Sequence, residues 1–177
     1  MAKVLYHVTM SLDGFIAAPG DDMSWLGGLI GGPNPMVDEL LPQIGALLIG
    51  GNTFRPASSS TGRPYGGAWS GPMFVLTHDD PPPRDSGFTF LNGDIPAAVA
   101  TAGAAAGDGY LVIFGATTAR RCLEAGLLDE IVVHVAPILL GDGVPLFDRP
   151  GGAPVGLEWL QRNESAGVTN LWLRVTR

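Results

Sequence analysis

Two short segments carry the residue types that hold a diphosphate: Gly50-Gly51-Asn52-Thr53-Phe54 and Gly115-Ala116-Thr117-Thr118. In each, a glycine lets backbone come close to a phosphate, and a threonine hydroxyl can cap a following helix or donate to a phosphate oxygen. Taken alone, a glycine between strand and helix is more often ordinary turn geometry. Both follow an apolar run, so two helix N-termini could share one polyphosphate. Ser11-Leu12-Asp13-Gly14 and Thr77-His78 also follow apolar runs. The chain contains neither GxGxxG nor GxxxxGK[ST], which removes the ordinary dinucleotide and P-loop readings. The three histidines fall in three separate segments and show no metal-ligand spacing. His7 and His134 lie within predicted strands and read as satisfied core histidines, and Cys122 as a small core residue. Asp129-Glu130 opens a strand, where it closes a turn or serves an interface.

The elements that must position these segments follow from periodicity. Val4 to Met10 reads as a first strand opening into a loop, followed by Phe15-Ile16-Ala17. Met36 to Leu41 has helical spacing, and Ala46 to Ile49 is an apolar run typical of a strand covered on both faces. Arg55 to Pro72 is rich in Gly, Ser and Pro and predicts an irregular loop beside a site. Further strands are expected at Met73 to Thr77, Phe88 to Leu91, Tyr110 to Phe114 and Ile131 to Ala136. Helices are expected over Pro96 to Ala106 and from Gly115 to near Gly126. Pro137 to Phe147 is a turn-rich excursion, and Leu157 to Arg162 with Val168 to Val175 form a hairpin around Asn163 to Gly167. Alternating strands and helices closed by a hairpin predict an α/β fold: a mixed, mostly parallel central sheet with an antiparallel edge and helices on both faces. Ligands of such sheets bind outside the carboxyl ends of the strands, where the four segments would lie.

Composition narrows the function. A chain of 177 residues fits one domain spanning residues 1–177, and one cysteine excludes an internal disulfide. Seventeen acidic against ten basic residues oppose a nucleic acid partner. The longest apolar run, Ile131 to Leu140, is too short for a bilayer, so no membrane span is expected and the cytoplasm is the expected location. With 46% apolar and 15% charged residues, some apolar surface is expected to be buried between two copies in a homodimer.

MSLDGFIA at Met10 to Ala17, GGNTF at Gly50 to Phe54, FVLTH at Phe74 to His78 and FGATTARRCLEAGLLDEIVVHVAPILLGDGVPLF at Phe114 to Phe147 resemble the dihydrofolate reductase-like family. That family includes the reductase domain of bifunctional riboflavin-biosynthesis enzymes, the type these motifs resemble. The resemblance implies a dihydrofolate reductase-like fold and an NADPH-dependent reductase acting on a small, flat heterocycle of pteridine or aminopyrimidine type. It places Thr9, Ile16 and Ala17 at the nicotinamide. It puts Gly50, Gly51, Asn52, Thr53 and Phe54 at the pyrophosphate, with Gly115, Ala116, Thr117 and Thr118 closing over it. Leu76, Thr77 and His78 would line the adenosine end. In that frame Asp13 is the candidate proton source, or else bonds its own turn amides. Trp25 would wall a substrate cavity or anchor its loop, and Tyr65 and Trp69 would cover a flat ring or pin theirs.

The chain departs from the family pattern at Gly51, where an arginine is common, and at Phe114, where glycine is. Arg55, Arg63, His78, Arg84 and Arg120 are the cations that could stand in for that arginine. No H-x-E and P-C-x-x-C signature is present, so a zinc deaminase half is not expected. A non-catalytic nucleotide or ligand binder, and a reductase using a deazaflavin donor, remain alternatives.

Overall fold

The computed structural model describes residues 2–29, 32–54, 64–78 and 87–176. Arg55, Arg63 and Arg84 lie outside the described residues, as does the first half of the expected irregular loop. Ten strands are described: β1 (Lys3–Ser11), β2 (Phe15–Ala17), β3 (Ile44–Gly50), β4 (Met73–Leu76), β5 (Phe88–Leu91), β6 (Tyr110–Phe114), β7 (Glu130–Ala136), β8 (Val144–Pro145), β9 (Gly156–Ser165) and β10 (Val168–Thr176). The α-helices are α1 (Pro35–Leu40), α2 (Gly51–Phe54), α3 (Ile95–Ala106) and α4 (Ala116–Glu124).

Eight strands form one sheet in the order β5-β4-β3-β6-β1-β7-β10-β9. From β5 to β7 every pairing is parallel, and β10 pairs antiparallel with both β7 and β9. The expected fold is therefore the observed one. The central strands read as unbroken apolar runs because both faces are covered. One face packs Ile95, Ala98, Ala102 and Ala106 of α3 and Ala119 and Cys122 of α4 against Val4, Tyr6, Ala46, Leu48 and Leu111. The other packs Met36 and Leu40 of α1, with Trp69, against Leu5, Leu47, Ile49, Val112 and Val132. Asp94 caps α3, its side chain accepting from the Ala97 amide at 2.9 Å, a contact of about 1 kcal/mol.

The terminal hairpin is longer and tighter than periodicity suggests. β9 runs through Asn163 to Ser165, and the reversal takes two residues, Ala166 (φ 53) and Gly167 (φ 75). Two left-handed residues match the twist of a paired ribbon, so the strands continue to the turn.

At the amino ends of the parallel strands, the buried Glu130 carboxylate accepts from Lys3 Nζ at 3.0 Å, the Tyr110 hydroxyl at 2.8 Å and Trp172 Nε1 at 2.7 Å. Burial raises its pKa, but the bonds from Lys3, Trp172 and Tyr110 outweigh burial and hold it below the ordinary glutamate value. This cluster ties β1, β6, β7 and β10 together at one end of the sheet.

Candidate functional site

Strand order carries the site. β4, β3, β6 and β1 are successive neighbours, so the turns leaving their carboxyl ends stand side by side. Contact between turns is close. A Cβ on Gly50 would lie 2.6 Å from Thr118 Oγ1, and one on Gly115 the same distance from Thr53 Oγ1. Gly115 also has φ 112, which L side chains rarely adopt. The two glycines thus let the turns after β3 and β6 touch. No side chain caps α4, which leaves its first-turn amides to another acceptor, a donor set of the kind a diphosphate takes.

Within that frame the sequence candidates divide. Asn52, Thr53 and Thr117 are exposed at the edge, Gly51, Phe54 and Ala116 half-buried beside them. Thr118 is buried beneath Gly50 and braces the two turns instead of facing a phosphate, and neither threonine caps the helix. A Cβ on Gly51 would lie 3.3 Å from both the Leu76 carbonyl and Thr77 Oγ1, so a side chain there would need the end of β4 to give by a few tenths of an ångström. Of the described substitute cations, Arg120 is paired with Glu124 at 2.9 Å, while His78 is exposed next to Thr77 at the end of β4. Leu76 is buried, and the Thr77 amide donates to the Leu91 carbonyl at 3.1 Å.

Thr9 lies near the carboxyl end of β1, and Ile16 and the buried Ala17 lie on β2 just beyond it. Phe15 and Ala17 of β2 pair with Pro145 and Val144 of β8, which clasps this loop against residues 137–146. Asp13 is part of the clasp. Its carboxylate accepts from the Ser11 hydroxyl at 2.5 Å, the Gly141 amide at 2.7 Å and the Leu140 amide at 3.1 Å. These bonds, that from Ser11 foremost, hold its carboxyl below the usual range. A proton donor needs the opposite shift; what these bonds do is fasten two loops.

Trp69 is also corrected. Its ring is buried in the core, and Nε1 donates to the Ile44 carbonyl at 3.1 Å, at the amino end of β3. It is an anchor at the end of the sheet opposite the glycine turns. Trp25 sits half-buried in a 3-10 turn, its Nε1 enclosed without a partner.

Tyr65 packs between β1 and the carboxyl end of β6. Its ring stacks on His7 with centroids 5.5 Å apart and planes at 15°, and tilts against Phe114 at 5.9 Å. It is held at φ 56, a conformation that costs a non-glycine residue about 1 kcal/mol or more. Its hydroxyl lies 2.8 Å from His7 Nδ1, His7 Nε2 lies 2.7 Å from His134 Nε2, and His134 Nδ1 lies 2.5 Å from Asn170 Oδ1. Leu5, His7 and Thr9 alternate onto one face of β1, and Thr9 stands opposite His134 in register. Burial lowers the pKa of both histidines, that of His7 to about 3 with repulsion from His134 adding to it.

Both histidines are hydrogen-bonded, as core histidines should be, and their chain runs on to Tyr65. Sequence reading passed over that continuity, and over Asn170 altogether. The available signal was the period-two placement of His7 with Thr9 on one strand and of Asn170 with Trp172 on another. Among the described residues, no group of three or more His, Cys, Asp or Glu side chains is placed to hold a metal ion. Nor is any described helix long and apolar enough to cross a membrane.

An eight-stranded sheet of this order, with paired glycine turns at the carboxyl ends of its central strands, defines a mixed, mostly parallel α/β domain. A family model of the RibD C-terminal domain matches residues 2–165, and the chain belongs to that family. A putative riboflavin biosynthesis protein of Shewanella sp. PV-4 superposes with TM-score 0.83 at 26% identity, each chain fully covered. A pyrimidine reductase-like protein of Corynebacterium diphtheriae gives TM-score 0.67 at 16% identity, over 99% of this chain and 92% of that one. The uncharacterized protein YwjB of Bacillus subtilis is 24% identical over 145 residues, 82% of each chain.

Proposed function

We propose that this chain is an NADPH-dependent reductase that delivers hydride to a small, flat heterocycle of pteridine or aminopyrimidine type, as an accessory to riboflavin- or folate-type metabolism. The observation that carries the reading is the contact between the Gly50 and Gly115 turns beside the opening after β1. The family and the reductase-like neighbours supply the reaction class. Bound NADPH would supply the hydride, with its pyrophosphate at residues 50–54 and 115–117 and its nicotinamide beside Thr9, Ile16 and Ala17. Thr77 and His78 would flank the adenosine end. The chain's own part is to bind, orient and exclude water. Asp13 ties the loop after β1 to residues 140–141, and ordered water would supply the proton, since three hydrogen bonds favour the ionised Asp13 carboxylate.

Gly51 and the Arg120–Glu124 pair favour a second reading, in which the donor is a deazaflavin or the protein binds its ligand without turnover. Titrating NADPH, NADH and a deazaflavin against the fluorescence of the four tryptophans tests both. Saturable NADPH binding, with oxidation in the presence of an aminopyrimidine, is expected. No NADPH binding removes the reading, and binding without oxidation by any pterin or pyrimidine favours the binder.

For assembly we propose a homodimer through β9, an edge strand that exposes Leu157, Trp159 and Leu160 (47%, 58% and 38%). Sedimentation of the unaltered chain and of Trp159→Glu checks it, the variant being expected as a monomer.

A further inference from the structure

The hydrogen-bonded chain behind Tyr65 has a direction, and the direction can be read from one backbone amide. Asn34 Oδ1 accepts from the Met36 amide at 3.1 Å, which fixes that side chain and makes its Nδ2 the donor to Asn170 Oδ1 at 2.9 Å. Asn170 Nδ2 in turn donates to Asn163 Oδ1 at 2.7 Å and Ser165 Oγ at 2.8 Å. The Asn170 amide is therefore held with its oxygen toward His134. That oxygen needs a hydrogen on His134 Nδ1. A neutral imidazole carries only one, so His134 Nε2 is a lone pair and His7 Nε2 must be the donor between the rings. His7 Nδ1 is then an acceptor, and the Tyr65 hydroxyl donates to it. What the Tyr65 oxygen has left to offer is lone pairs.

We propose that Tyr65 determines specificity as a hydrogen-bond acceptor, so that the heterocycle presents an N–H or O–H donor to its oxygen, such as an exocyclic amino group or a ring N–H. Rings offering a carbonyl or a bare ring nitrogen at that place are rejected, because two acceptors would face each other. This rests on the reading that a flat heterocycle sits beside Thr9, which stands opposite His134 and next to His7 on the same face. The device is rigid. Asn170 is fully buried, His134 is 6% exposed, and Tyr65 is stacked on His7 and braced by Phe114. Burial keeps both imidazoles neutral, which the tautomer argument requires. A pocket built around a buried acceptor discriminates strongly, since an analogue without the donor leaves it unpaired.

The direction can also be reversed. A carboxylate in place of the Asn170 amide would hold an extra proton on the histidine pair. His134 Nε2 would then donate to His7 Nε2, His7 Nδ1 would donate to Tyr65, and the tyrosine hydroxyl would turn outward as a donor.

Three measurements on the full chain test the proposal. Nitrogen NMR of the histidine-labelled protein at pH 7 should find His134 protonated at Nδ1 only and His7 at Nε2 only. The opposite tautomers, or a charged pair, overturn it. Binding of 2,4-diaminopyrimidine should be at least about tenfold tighter than that of 2,4-dimethoxypyrimidine, which has no N–H. Tyr65→Phe should erase the ratio, and Asn170→Asp should shift it toward the dimethoxy ring. An unchanged ratio in Tyr65→Phe, or failure of the unaltered chain to bind the diamine, overturns the proposal. The NMR result stands even if a variant does not fold. NADPH titration of the unaltered chain decides the cofactor reading separately.

Discussion

Glu130 and His134 lie on one face of β7, both buried and both hydrogen-bonded, yet the clusters around them are built on different plans. Around Glu130 an anion accepts from three donors on three other strands, and every partner ends there. Around His134 each neutral group accepts on one side and donates on the other, so the cluster extends until it reaches Tyr65. A closed cluster of this kind fixes the sheet, whereas an open one transmits the orientation of one amide to a distant oxygen. The distinction separates a staple at the amino ends of the strands from a site at their carboxyl ends.

The largest effect should come from opening the staple. Glu130→Ala leaves Tyr110 and Trp172 without acceptors, and unpartnered buried donors cost about 1–3 kcal/mol each, so denaturant unfolding should show a loss of several kcal/mol. Nucleotide affinity of the folded fraction should be unaffected. Next comes the turn contact: Gly115→Ala meets Thr53 Oγ1 and keeps an unfavourable φ, at a cost of about 1–3 kcal/mol, and should weaken NADPH binding in the same fluorescence titration.

Acid separates the clusters by pH window. The neutral histidine pair has lowered pKa values, so the unfolded chain binds more protons and stability falls as pH drops from about 6.5 toward 3. Glu130, also lowered, contributes stability that is fully present above its ordinary value of 4.5 and is lost as pH falls through its folded value. Urea midpoints against pH should therefore decline first in the histidine window. His7→Leu should flatten that part of the curve and leave the lower one. The smallest effect is expected at Asp13. Removing a true general acid costs about 10²–10⁴ in rate, so a loss under about tenfold in Asp13→Asn would agree with a fastening carboxylate, and a larger one would restore it as the acid.

Much of this architecture was legible in the sequence. Unbroken apolar runs at Ala46 to Ile49 and Tyr110 to Phe114 marked strands covered on both faces, and the glycines after them marked the turns that meet. Periodicity says which face a residue takes but not which end of the sheet a loop residue returns to, so Trp69 reads as a ring cover or a loop anchor and is found anchored at the opposite end. It also cannot say what a carboxylate accepts from across the fold. Asp13 reads as an acid or as a residue bonding its own turn, and neither reading anticipates the amides of Leu140 and Gly141 that it accepts from. The histidine chain depends on register between three strands, which no single segment encodes.

The clasp at Asp13 joins residues separated by 127 and 128 positions. β1, the first of the described strands along the chain, lies at the middle of the sheet between β6 and β7, and both of those neighbours follow it by about a hundred residues or more. Non-local closure of this kind slows folding. A ribosome-bound or truncated chain that stops short of residue 141 could form the glycine turns but not the rim that seals the opening after β1, so ligand binding should appear late in refolding.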